Sequence, residues 1–158
     1  MPSAVYATSD QAIKRRLPRS GGEPTADAAQ GHPVLAYHFP RVYPPGIPVE
    51  ALAGLPVAGQ KDSSGAADRL LDELAHYSGA TYVGSSALLA LAGPMGATGA
   101  LLALANVEPE RCVAAFEGDA VAQRELADRH LACARGGVPA LKQLLAEDLG
   151  RPVPVRVG

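Results

Sequence analysis

A lone lysine closes a short apolar run in Pro56-Val57-Ala58-Gly59-Gln60-Lys61-Asp62-Ser63-Ser64-Gly65. Small polar residues follow it, and then a helical pattern begins. The stretch predicts a buried strand, Lys61 at its carboxyl end, a tight loop and a helix. Apolar runs this short, bounded by turn residues, suit strands of a parallel sheet. In α/β sheets the chemistry gathers beyond the carboxyl ends of the strands. An amine placed there over an apolar wall is poorly solvated, and desolvation disfavours its ammonium form. The neutral amine can attack a carbonyl carbon and form a Schiff base. A second reading fits the same residues: a surface lysine at a strand end, paired with Asp62.

The elements that must hold Lys61 follow from periodicity. Strands are predicted over 33–39, 57–60, 81–83 and 100–104. A Pro-rich loop over 40–48 and a short helix over 49–55 join the first two. From Gly65 a helix carries Leu70, Leu71, Leu74 and Tyr77 as its stripe. Ser63 or Ser64 would cap it, and Gly79 would end it. A short helix over 87–91 stops before Gly93-Pro94. Three helices close the chain, over 108–117, 119–134 and 138–149. Pro109 and Pro139 suit first-turn positions, and Val138, Leu141, Leu145 and Leu149 share one face. Strand and helix alternate, which implies parallel βα units.

The N-terminal end is different. Residues 2–13 predict the tail of a strand and the start of a helix capped by Ser9 or Asp10. Over 14–25 the helical pattern fails, with one strong apolar residue, Leu17, among Pro18, Gly21, Gly22 and Pro24. This is expected to be an exposed, poorly ordered linker. The expected division is a strand/helix remnant with that linker over 1–31, and the main domain over 32–158.

Composition narrows the function classes. Apolar residues make up 47% of the 158, enough for one domain with a real core. A net charge of −2 offers no electrostatic footprint for nucleic acid or an anionic membrane. Aromatics are 4% with no Trp, too few for a base-stacking platform. Cys112 and Cys133 lie in helical patterns without metal spacing and are expected to be buried thiols of a reduced compartment. No signal-peptide plan and no long apolar run are read from the sequence, so a cytoplasmic location is expected. His32, His38, His76 and His130 lack ligand or triad spacing, so no metal is expected. His38 should point to the opposite side of its strand from Tyr37. Gly93-Pro94-Met95-Gly96-Ala97-Thr98-Gly99 lacks the ending of a P-loop and precedes a strand, so it is read as a turn.

Four segments, in order, carry a resemblance: Pro33-Val34-Leu35-Ala36-Tyr37-His38-Phe39-Pro40, the Lys61 stretch, Tyr82-Val83-Gly84-Ser85-Ser86, and Gly96 through Val107 with its Ala105-Asn106 ending. Together they resemble the dihydrodipicolinate synthase / N-acetylneuraminate lyase family of class I, pyruvate-handling aldolases, over roughly residues 32 to 150. The resemblance implies a truncated (β/α)8 TIM barrel: about four C-terminal βα units plus C-terminal helices. A complete barrel takes about 250 residues.

The resemblance also implies roles. Lys61 would be the Schiff-base nucleophile and Tyr37 the proton relay on the preceding strand, although a tyrosine packed at a strand end is the plainer reading. Gly84 and Ser85 would border the substrate, and Leu101 would offer its backbone carbonyl to the bound keto acid. No cofactor is implied, because the iminium itself is the electron sink. The implied partners are a small 2-keto acid and either a second copy or a homologous chain. Lys61-Asp62-Ser63-Ser64-Gly65 is closer to the 4-hydroxy-2-oxoglutarate and 2-keto-3-deoxy sugar-acid aldolase branches. Val42 stands where dihydrodipicolinate synthases carry a substrate-holding arginine, and Arg41 lies one place earlier. The family's Gly-Thr-Thr-Gly-Glu segment has no counterpart here. The implied activity is carbon–carbon lyase chemistry, aldolase-like or 4-hydroxy-tetrahydrodipicolinate synthase-like. The competing expectation is an inactive remnant, or a subunit that only associates with a full-length homologue.

Overall fold

The computed structural model describes residues 4–7, 29 and 31–154. Five strands form one parallel sheet: β1 (Ala4–Ala7), β2 (Leu35–His38), β3 (Gly59–Asp62), β4 (Ala80–Val83) and β5 (Gly99–Leu102). Their order is β1-β5-β4-β3-β2. The four strands after β1 lie side by side in chain order, as βα units require. β1 does not sit beside β2, its neighbour in sequence. It pairs with β5 at the far edge, with Ala4 opposite Gly99. The helix and linker expected over 8–28 lie outside the described residues.

Burial alternates along the strands, so the two faces of the sheet differ sharply. Ala36, His38, Gln60, Asp62, Thr81, Val83, Ala100 and Leu102 are buried on one side. Tyr37, Lys61, Tyr82 and Leu101 lie on the other, partly or well exposed. The buried side is covered by α1 (Val49–Leu52), α2 (Ala67–His76), α3 (Leu89–Ala92), α4 (Pro109–Phe116), α5 (Ala120–Glu125) and α6 (Ala127–Leu149). Leu70, Leu89, Cys112 and Leu126 in that layer are fully buried. Each buried leucine contributes about 1.5–3 kcal/mol. Among the described residues no helix is long and apolar enough to cross a membrane.

Several expected boundaries move. β3 runs over Gly59–Asp62, so Lys61 lies inside the strand and not beyond its end. The cause is local: a Cβ at position 59 would strike the main chain of Ala80, so glycine lets β4 pass close there. The last strand stops at Leu102. Ala103 adopts helical angles, and Leu104–Asn106 form a 3-10 turn that buries Leu104 and Ala105. Asn106 therefore does not close a strand; its amide donates to Ala103 O at 2.9 Å.

The helix faces also shift. On α2, Leu71 is 42% exposed, and the buried positions are Leu70 and Glu73. The long C-terminal helices divide at Leu126 and again at Gly137, whose φ of 60° breaks α6 just before Pro139. Asp119 caps α5, accepting from Val121 N at 2.7 Å and Ala122 N at 3.1 Å. Val138 and Leu149 are exposed, whereas Leu141 and Leu144 pack against the core. Cys112 is buried, Cys133 is only partly so, and both are free.

Candidate active site

Parallel register places a row of side chains across the sheet. Tyr37 on β2 stands opposite Lys61 on β3, and Lys61 stands opposite Tyr82 on β4. Strand alternation then brings all three to the same exposed face. The Lys61 Nζ lies 4.9 Å from the centre of the Tyr37 ring, over its face. Phe39 extends this aromatic patch, with its ring 5.7 Å from that of Tyr37.

Burial lowers the Lys61 pKa below the ordinary 10.5. The ring contact opposes this weakly, since a cation over an aromatic face gains about 0.5–1 kcal/mol at exposed sites. Asp62, the partner that the plainer reading assigned to Lys61, is turned to the helix side. Its carboxylate accepts from Ser64 N at 2.7 Å and Ser64 Oγ at 2.9 Å. Among the described residues no carboxylate pairs with the Lys61 amine. A partly desolvated amine without a counter-ion is the arrangement that favours the neutral, nucleophilic form.

Gly84 belongs to this row because of what a side chain there would meet. Its Cβ would run into Ser63 Oγ and lie 2.9 Å from Asp62 O and 3.0 Å from Lys61 Cε. Its N–H donates to Asp62 O at 2.6 Å, which fixes the backbone against β3. Gly84→Ala is therefore expected to displace the Lys61 side chain. Trapping of a carbonyl compound on Lys61 should fall about 10- to 100-fold, with about 1–3 kcal/mol of stability lost to overpacking. Borohydride labelling beside a denaturant melt checks both.

The other expected site residues are placed differently. Ser85 caps the turn that follows it, accepting from Ala87 N at 3.4 Å. Ser86 is buried and bonds His130 Nδ1 at 2.9 Å, so its hydroxyl is committed inside the fold. Leu101 lies on the exposed face in register with Tyr6. Arg41 reaches Ala134 O at 3.4 Å on α6, away from Lys61.

Two residues of this neighbourhood escaped sequence reasoning. Ser63 bridges the strand ends: its N–H donates to His38 O at 2.8 Å, and its hydroxyl lies against Gly84. Tyr82 was hidden by the glycine motif that follows it. Counting two residues back from Gly84 along the strand would have put it on the same face. A shallow concavity lined by Pro109, Glu110, Val113, Ala114 and Glu117 lies on α4 and includes none of these groups.

No family model and no curated protein matches this chain. Solved structures do. A candidate dihydrodipicolinate synthase from Thermus thermophilus is 32% identical, with a TM-score of 0.69, over 83% of this chain and 50% of its own. A dihydrodipicolinate synthase from Acinetobacter baumannii, complexed with pyruvate, is 20% identical with a TM-score of 0.69, over 86% and 53%. A 2-keto-3-deoxygluconate aldolase variant from Sulfolobus solfataricus is 20% identical with a TM-score of 0.65, over 88% and 54%. The last two speak to the fold alone. The chain spans about half the length of each.

Proposed function

We infer that this chain is the Lys61-bearing half of an aldolase barrel of the dihydrodipicolinate synthase / N-acetylneuraminate lyase family, and that it performs Schiff-base lyase chemistry on a 2-keto acid. The observation that carries this reading is the Lys61 amine, partly buried, without a carboxylate partner among the described residues, and seated against Tyr37. The 32% identity to the Thermus protein supports the family. The neutral amine adds to the keto carbon to give a carbinolamine. Loss of water leaves the iminium. The bond between the α and β carbons then breaks: the β-hydroxyl gives up its proton, the β carbon leaves as a carbonyl product, and the bond's electron pair moves into the iminium to give an enamine. Protonation of the enamine and hydrolysis return pyruvate and the free amine.

Tyr37 is the proton carrier in this scheme, serving the departing water and the substrate oxygen. Gly84 gives the substrate access to the backbone, Ser85 borders it, and Leu101 contributes its main-chain carbonyl. The Asp62-Ser63-Ser64-Gly65 sequence after the lysine favours an aldolase-like substrate over that of the synthases. A second copy or a homologous chain supplies the opposing half of the barrel. The exposure of Tyr37, 46% in this half, supports that arrangement.

The test is mass spectrometry after incubation with pyruvate and borohydride, over a range of protein concentrations. A reduced adduct at Lys61 is expected, with a yield that rises faster than protein concentration. A folded chain that gives no adduct, alone or mixed with a full-length homologue, would sink the reading and leave a non-catalytic subunit. In the same assay Tyr37→Phe keeps the ring beside Lys61 but lacks the hydroxyl. Its adduct should form about 10²- to 10⁴-fold more slowly, with unchanged selectivity for Lys61.

A further inference from the structure

We propose that His38, beside Asp62 behind the sheet, clasps the loop that follows β2, positions Tyr37 against Lys61, and lets that loop go when it gains a proton. Its effect on chemistry rests on the aldolase reading; the clasp itself does not. The two residues stand opposite each other in register, one step after Tyr37 and Lys61. Strand alternation puts them on the other face, where they are 6% and 2% exposed.

The ring of His38 ties down the loop that follows β2. Its Nδ1 accepts from Ile47 N at 2.9 Å, so the neutral ring carries its proton on Nε2. That nitrogen faces Asp62 Oδ1 at 4.0 Å. The loop passes so close that a Cβ on Gly46 would lie 2.8 Å from Nδ1. Asp62 in turn holds the loop after β3 through Ser64 N and Ser64 Oγ, and Ser64 Oγ accepts from Ala66 N at 3.1 Å at the start of α2. Two neighbouring buried side chains thus anchor the two loops that follow the Tyr37 and Lys61 strands.

Protonation reverses one of these bonds. A proton on Nδ1 turns an acceptor into a donor, and the Ile47 N–H is left facing another N–H. The charges around the ring decide when this occurs. Burial and the Arg69 guanidinium from α2 disfavour the imidazolium, and Asp62 from β3 acts the other way. The balance lies below the ordinary 6.5, so the clasp is closed at neutral pH and opens on acidification. Arg41, from the same loop, is turned away toward α6.

The test follows two amides by hydrogen exchange in wild type, His38→Asn and His38→Leu. Ile47 reports the clasp. Ala58, which donates to Val34 O at 2.9 Å just before β3 and β2 begin, is the reference. Between about pH 7.5 and about pH 5, the range in which histidine charges, wild-type protection at Ile47 should drop tenfold or more while Ala58 holds. Asparagine offers a carbonyl oxygen in place of Nδ1 and does not titrate, so His38→Asn should stay protected throughout. His38→Leu should be unprotected at Ile47 at both ends. Lys61 trapping by pyruvate should fall with acid more steeply in wild type than in His38→Asn. Equal Ile47 protection at both pH values in wild type, or the same titration in His38→Asn, overturns the clasp. If the variants fail to fold, the wild-type series still decides. If pyruvate labels no form, the aldolase reading fails and the Ile47 readout stands alone.

Discussion

Lys61→Ala, and the closer-shaped Lys61→Met, remove the dominant pyruvate-dependent, borohydride-stabilised adduct from this protein. Any turnover that passes through an iminium is expected to drop about 10⁴-fold or more, the scale seen when a covalent nucleophile is deleted. The contrast with Lys142 makes the result specific. That amine donates to Pro154 O at the surface, at 3.0 Å. Burial lowers the Lys61 pKa, so its share of free amine near neutral pH exceeds that of an ordinary lysine. Labelling of Lys61 should therefore outrun that of Lys142, and its rise with pH should centre below 10.5. The sign is fixed by the chemistry: the free base attacks, so acid suppresses the adduct and alkali restores it. Circular dichroism of the variants should match wild type, because Lys61 contributes a ring contact and no buried ion pair. A total adduct yield in Lys61→Ala equal to that of wild type would reduce Lys61 to a bystander.

The largest loss of stability is expected from Gly93→Ala. Gly93 follows α3 and meets the end of α4, and its N–H donates to Leu89 O at 3.1 Å. A Cβ there would run into the carbonyl oxygen of Phe116 and lie 2.8 Å from the carbonyl carbon. Both are backbone atoms, so no side-chain rotation relieves the clash. α3 and α4 must part, and Phe116, 3% exposed, must leave its place. The cost should be about 3 kcal/mol, the upper end for overpacked cores, and Tm should fall by roughly 6–12 °C. Gly54→Ala is the matched control. Its Cβ would meet only Ala51 O, at 3.7 Å, and the melt should be unchanged within about 0.5 kcal/mol.

The neighbourhood of Tyr37 and Lys61 could be read from sequence because it depends on strand order and parity, and both follow from short apolar runs and the right-handed βα crossover. The boundaries of β3 could not. Its four residues are Gly59, Gln60, Lys61 and Asp62, and the apolar signal sits just before them at Val57 and Ala58. Gln60 and Asp62 are buried on the helix side, at 0% and 2% exposure, where apolar patterning expects neither. Glu73 of α2 is buried there too. It pairs with Arg69, and burial still pushes its carboxyl above the ordinary range. Ser86, next to the Ser85 that was expected to border the substrate, was equally opaque: its partner, the distant His130 ring, is set by tertiary packing that a local motif does not record.

The pairing of Ala4 with Gly99 sets an order of events on the ribosome. β1 has no partner among the described strands until β5 has emerged, about 95 residues later in the chain. At about 5–20 residues per second, that wait is roughly 5–20 s. During it β2, β3 and β4 can assemble one after another, while β1 remains an unpaired strand held near a growing sheet. Nascent chains arrested before Gly99 should thus be digested at residues 4–7 by a protease that spares the released protein.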